Sequence, residues 1–254
     1  MLELSSTLLA RCISIDLEVD PRSARVFAFA AVNSNKSNPL VYRGGNPDDA
    51  LQKLDAFVSD CDHLIGHNIL RFDLPHLMAL RPRLAALGKS PIDTLWLNPL
   101  AFPRNPYHHL VKHYHDGRLQ TGHVNHPERD AQLVFKLLED QLAAFSRLNL
   151  EHPDALLAYH YLATRSETHS GFDAVFRTCR TCPTPSSEEA RAAIQRLLAG
   201  RACAAQTTAV LEHVSDPNEG WPLAYALSWI SVAGGDSVMP PWVRAQFPDA
   251  ARIV

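Results

Sequence analysis

The sequence predicts an α/β fold: a mixed five-stranded sheet flanked by helices, followed by a smaller, mainly helical region. Three observations predict it. Residues 12–19, CISIDLEV, alternate apolar and polar positions with period two, the pattern of a half-buried strand. Two more short β-prone segments precede the first long helical pattern, so the sheet is not a simple run of parallel strand-helix units. From about residue 150 the chain turns alanine-rich, with apolar residues at helical spacing.

The elements come in this order. In the first strand Ile13, Ile15, Leu17 and Val19 alternate with Cys12, Ser14, Asp16 and Glu18. Residues 24–33, ARVFAFAAVN, form a second strand, and 40–43, LVYR, a third, closed by Gly44 and Gly45. Asn46 supplies an N-cap and Pro47 a first-turn proline. The helix they open carries Leu51, Leu54 and Phe57 at helical spacing, with Val58 beside them. A fourth strand spans 63–68, and a helix runs from Phe72 to about Leu84, its Pro75 tolerated in the first turn. After Pro91 comes the stretch IDTLWL, with Asp93 as the cap of the next helix. Pro127 opens a long helix to about Leu148, with a stripe of Leu133, Val134, Leu137, Leu138, Leu142 and Phe145. Beyond a Pro/Ser break at 182–189, Ser186 or Ser187 before Glu188-Glu189 starts another helix. The expected domains are 1–149 and a helical accessory domain, 150–254. The last residues stop inside an amphipathic pattern, which leaves a longer polypeptide open.

Composition narrows the functional classes. Of the 254 residues 46% are apolar and 20% charged, ordinary for a globular protein. A net charge of -3 excludes a basic coat for duplex nucleic acid, so any nucleic-acid contact is expected to be local, in a groove. Five cysteines at irregular spacing do not form a secreted disulfide framework. The N-terminus lacks the basic region and long apolar core of a signal peptide, and no apolar run is long enough to span a membrane. The expectation is a cytoplasmic protein without a membrane partner.

Three segments carry chemistry. Asp16 and Glu18 lie two apart on a strand, so their carboxylates share a face. Like charges on an otherwise apolar strand repel and cost desolvation. A hard divalent cation, which takes oxygen ligands, relieves both; the plainer alternative is a solvated strand edge. In GHNILRFDLPHL, residues 66–77, Asp73 falls in a first turn, where the helix dipole favours a carboxylate. Core packing is the plainer role of Phe72 there, and a ring edge against a terminal base the other. In HVNHPERDAQLVFKLL, residues 123–138, Asp130 stands on the apolar stripe of its helix, so it needs a partner, and a cation shared with Asp16 supplies one. Glu128 and Arg129 lie off the stripe and are expected in solvent. His126, at the helix entrance, can take a proton from an attacking water.

In this order the segments resemble the DEDD exonuclease superfamily, and most closely the DEDDh branch of RNase T and the proofreading subunit of bacterial DNA polymerase III. The resemblance covers roughly residues 11–145. It implies an RNase H-like fold and a metal-dependent 3'-5' exonuclease that releases nucleoside 5'-monophosphates from single-stranded or frayed 3' ends of DNA or RNA. Asp16, Glu18, Asp73 and Asp130 would hold two Mg2+ or Mn2+ ions, and His126 would act as general base. Leu17, Asn68 and Phe72 would contact the substrate. The branch has four residues between its His and Asp, whereas three separate His126 from Asp130, the spacing of the sister branch that uses Tyr; His123 is the other candidate. The segment beyond residue 150 slightly resembles the region after the exonuclease module of some RecQ-type helicases, which implies a helicase domain in the same or a partner chain.

Other features carry weaker expectations. Arg104 and His108, with His109, Lys112, His113 and Arg118, form a candidate phosphate track. His109 and His113 also have zinc-like spacing, as do Cys179 and Cys182, for which Cys203 and His213 are conceivable partners. Trp221, Trp229 and Trp242 are expected in a core. The competing functional classes are a non-catalytic nucleic-acid-binding module and a zinc-binding interaction protein.

Overall fold

A computed structural model describes residues 2–35, 38–105, 108, 110, 114, 115, 118, 119 and 126–230. The chain forms two compact units, one from residues 6–95 and 109–139, the other from 1–5, 96–108 and 140–254. The chain therefore passes between units several times.

The first unit holds the five-stranded mixed sheet. Its strands are β1 (Cys12–Val19), β2 (Val26–Asn33), β3 (Leu40–Arg43), β4 (His63–Gly66) and β5 (Ser90–Asp93), in the order β3-β2-β1-β4-β5. β2 lies antiparallel to both β1 and β3, whereas β4 is parallel to β1 and β5 parallel to β4. One face packs Ile13, Ile15, Leu17, Phe29 and Leu64 against Leu51 and Leu54 of helix α2 (Pro47–Phe57) and Leu77 of α3 (Asp73–Leu80). Each such side chain contributes about 1.5–3 kcal/mol when fully buried. Helix α2 starts as its sequence predicts, since the Asn46 side chain accepts from the Asp48 N–H and Pro47 follows in the first turn. The other face carries Cys12, Ser14, Asp16 and Glu18 of β1, and the register sets Asp16 opposite Ala30 and Glu18 opposite Ala28.

Several boundaries differ from the sequence expectation for local reasons. β2 begins at Val26, after Ala24 in a left-handed turn (φ 55°). β4 ends at Gly66 because Asn68 takes φ 72° and folds the chain back, bringing Ile69 against Gly66. Helix α3 stops at Leu80 because Arg81, which precedes Pro82, is extended. The amino-terminal helix α1 (Leu2–Ala10) was not expected.

The second unit is helical. It contains the later part of α4 (Thr94–Ala101) and of the long α5 (Pro127–Glu151), then α6 (Pro153–Ala163), α7 (Ser170–Arg180), α8 (Ser187–Leu198), α9 (Ala204–His213) and α10 (Gly220–Ser228). Helix α8 opens where a helix start was expected, and of the two candidate serines it is Ser186 that caps it, in a reciprocal capping box with Glu189. Trp221 is buried, donates its indole N–H to the Trp96 carbonyl at 3.0 Å, and meets the Trp96 ring edge-on at 4.5 Å. Trp229 is half-buried, and Trp242 lies outside the described residues. The stripe of α5 is Ala131, Val134, Leu138, Leu142 and Phe145; Leu133, expected on it, is exposed. No helix among the described residues is long and apolar enough to cross a membrane.

Candidate metal centre

Strand β1 and the first turn of α5 build the centre. Period-two geometry puts Asp16 and Glu18 on one face, and helical phase puts Asp130 beside the buried Ala131 and Val134. The result is a group in which one oxygen from each of Asp16, Glu18 and Asp130 lies within 4.8 Å of the others. Asp130 is buried and the other two half-buried. Among the described residues this is the only such group of three or more histidine, cysteine or acidic side chains. Three hard oxygen donors so close fit a divalent cation, which also relieves their mutual repulsion.

Asp73 lies beside this group. Its Oδ1 accepts the Leu17 N–H at 3.0 Å, so its carboxyl rests on the β1 backbone between the two acids. Leu17 itself is buried, its side chain in the core of the sheet's opposite face. Burial raises the Asp73 pKa well above the ordinary aspartate value, and the neighbouring Asp16 charge raises it further; the Leu17 N–H opposes both. Asp73 is not one of the three that converge within 4.8 Å.

The turn that delivers Asp73 is organised by Asp93, which is fully buried. Asp93 accepts the backbone N–H groups of Asn68 (2.9 Å), Leu70 (3.1 Å) and Leu95 (2.9 Å). It therefore caps α4, as expected, and also pins the loop before α3, which the sequence did not disclose. The Thr94 hydroxyl lies 3.1 Å from the Gly66 carbonyl oxygen and 3.0 Å from the His67 Nδ1, which links the end of β4 to the start of α4. Phe72 is 37% exposed, with its ring edge-on to His76 at 4.9 Å, so it is not the core residue of the plainer expectation. Asn68 is half-buried, and only its backbone bonds are defined by the pin.

His126 stands at the entrance of α5, where its carbonyl accepts the Asp130 N–H at 3.1 Å. Its ring is one-third exposed and faces Glu128, with Nδ1 3.9 Å from Oε1. It does not join the acidic group. Glu128 is not simply in solvent as expected: the Arg43 Nη2 lies 2.7 Å from both of its carboxylate oxygens, and Arg43 helps hold its pKa below the usual glutamate value. Arg129 is exposed.

The expected phosphate track divides. His108 belongs to the helical unit and is buried, its Nδ1 3.2 Å from the Asn98 amide nitrogen; Asn98 in turn accepts from Gln141 at 3.0 Å. This internal network, rather than a surface, holds the His108 ring. Arg104 is exposed and lines a groove of about 580 Å3 with Phe102, Arg147, Glu151 and His152. His109, Lys112, His113 and His123 lie outside the described residues. Cys179 and Cys182 form no metal site with described residues: Cys179 is buried, with Sγ donating to the Leu142 carbonyl at 3.6 Å and burial pushing its thiol up to about 11, whereas Cys182 and Cys203 are exposed.

No family model matches the chain, and the comparisons with curated proteins and with solved structures returned no match.

Proposed function

We propose that the first unit is an RNase H-like, metal-dependent 3'-5' exonuclease of the DEDD type, acting on single-stranded or frayed 3' ends of DNA or RNA. The observation that carries the reading is the convergence of Asp16, Glu18 and Asp130, from a strand and a helix far apart in sequence, with Asp73 on the backbone between the first two. Mg2+ or Mn2+ held there would ease deprotonation of a water and neutralise charge on the departing 3' oxygen. The chain's own residues do the rest. Asp16, Glu18 and Asp130 supply hard ligands already gathered, which lowers the ordering cost of binding. Asp73 gives up its proton as positive charge arrives, and then adds a fourth carboxylate to the field. Phe72, exposed at the start of α3 beside Asp73, offers a ring face to a terminal base. His126 is the general-base candidate and reaches an attacking water by turning from Glu128.

The test is degradation of a 5'-labelled single-stranded oligonucleotide, DNA and RNA in parallel, with Mg2+ or Mn2+, by wild type and Asp16→Ala. A ladder shortening from the 3' end, lost with EDTA and in Asp16→Ala, is the expected result. Absence of product from folded protein with every metal and substrate would sink the reading. One observation favours a second reading, a nucleic-acid-binding module without catalysis: His126 stands outside the acidic group and faces Glu128. Five free thiols fit a cytoplasmic setting, and a helicase domain in the same or a partner chain would supply the single strand.

A further inference from the structure

The acidic face of the sheet gathers Asp16, Glu18 and Asp130, and any phosphodiester entering the site is itself an anion, which calls for a donor beside the metal ligands. Strand pairing places one arginine on that face. Glu18 is opposite Ala28 and Ala28 is opposite Arg43, and residues paired across adjacent strands point to the same side. Two strand spacings, about 10 Å, separate the Arg43 and Glu18 backbones. Among the described strand residues of this face, Arg43 is the one arginine or lysine.

The state of its guanidinium is informative. A single nitrogen, Nη2, contacts both carboxylate oxygens of Glu128, each at 2.7 Å. The Nε and Nη1 donors make no further hydrogen bond among the described residues, and the side chain is 47% exposed. Nη2 belongs to both bidentate edges of a guanidinium and the Nε–H and Nη1–H groups diverge, so with Nη2 held each of them remains available as a single charge-assisted donor to an oxyanion. Glu128 lies two residues before Asp130 on the same turn, so the pair ties the guanidinium to the helix that carries a metal ligand.

We propose that Arg43 is the phosphate-binding residue of this site, and that Glu128 is its positioning residue. The inference rests on the exonuclease reading. A free Nε–H or Nη1–H donates to a non-bridging oxygen of a substrate phosphate while Nη2 stays on Glu128, so no bond of the resting protein is broken. Arg43 thereby brings a guanidinium donor to the face on which the phosphate would lie.

The experiment measures steady-state cleavage of the labelled oligonucleotide by wild type, Arg43→Ala, Arg43→Lys and Glu128→Gln in the full chain, across a salt series. Thermal melting and Mn2+ binding are followed on the same samples. The expected result for Arg43→Ala is a KM raised about tenfold or more, with kcat, Mn2+ affinity and melting temperature close to wild type. Its dependence of log KM on log salt should weaken by about 0.7, the share of one phosphate contact on a single strand. Arg43→Lys restores the salt slope but not the full affinity, because an ammonium cannot hold Glu128 and the phosphate in the fixed directions of a guanidinium plane, and Glu128→Gln raises KM less than Arg43→Ala. A purely structural pair predicts the reverse: melting temperature falls alike in Arg43→Ala and Glu128→Gln, while KM and salt slope stay at wild-type values. That outcome overturns the proposal while cleavage by wild type stands. A folded wild type that cleaves neither DNA nor RNA overturns the exonuclease reading and this inference with it. Should Arg43→Ala fail to fold, Arg43→Lys decides, since unchanged affinity there refutes a role for the guanidinium.

Discussion

Replacing Asp16 with asparagine should stabilise the cation-free protein and abolish its response to divalent cations. The amide keeps the size of the side chain and removes one charge from a group of three. Oxygens of Asp16, Glu18 and Asp130 lie within 4.8 Å of one another. Two unit charges at that distance repel by about 1 kcal/mol in water and about 3–4 kcal/mol at an effective dielectric constant near 20. Asp16 takes part in two of the three pairs, so its neutralisation relieves at least about 2 kcal/mol, taking the water limit as appropriate to half-buried groups. For a protein of this size that is about 4–8 °C in melting temperature. In excess Mg2+ or Mn2+ the order reverses, because wild type gains about 2.7 kcal/mol at a cation concentration one hundred times its Kd, and a variant lacking a central ligand does not. The assay is thermal unfolding at pH 8 followed by circular dichroism, in EDTA and in excess cation, for wild type and Asp16→Asn. An Asp16→Asn protein that melts below wild type in EDTA and still gains from the cation would refute this charge relief.

Three further outcomes are expected. The Asp73 pKa is raised in the folded state above its ordinary value of 3.8, so the native protein holds a proton that the unfolded chain has released. Cation-free stability is therefore fully supported below that ordinary value and falls as pH climbs toward the raised one, by at most about 1.4 kcal/mol per pH unit for one proton; denaturant titrations of Asp73→Asn across pH should show that slope flattened, and an equal slope in both proteins counts against it. A methyl group added at Gly66 would stand 2.8 Å from the Ile69 Cβ and 3.2 Å from the Ile15 carbonyl oxygen. Gly66→Ala should cost about 1–3 kcal/mol in denaturant unfolding and weaken cation binding by displacing the loop that Asp93 pins, whereas wild-type stability would show that the loop yields freely. Cys182 and Cys203 are exposed, while Cys12 and Cys179 are buried with their thiols pushed up to about 12 and 11. A disulfide reagent at pH 8 should modify Cys182 and Cys203 quickly, at a rate EDTA does not change; an EDTA-dependent rate would reinstate a zinc site.

Much of the architecture was legible in the chain. The alternation in CISIDLEV placed Asp16 and Glu18 on one face, since strand geometry has period two whatever surrounds it. The Asn46-Pro47 and Ser186–Glu189 caps were equally local, because a capping bond spans only a few residues. Helical spacing placed Asp130 on the buried side of its helix, and the structure keeps it there while turning Leu133 outward. A stripe read from periodicity is uncertain at its edges by about one position in a turn, and Leu133 sits at that edge.

Sequence periodicity by itself determined which side of its own strand or helix each acid occupies. Only the tertiary structure decided which of them meet. Strand register and the roll of α5 brought Asp130 to Asp16 and Glu18, left Asp73 on the Leu17 N–H, and joined Arg43 to Glu128 across 85 residues. The same long-range packing buried His108 in an amide network and gave Asp93 two backbone donors from the loop before α3. The physical reason is that local periodicity reports orientation about one axis, whereas distance between side chains depends on how separate axes are set by the burial of the whole core.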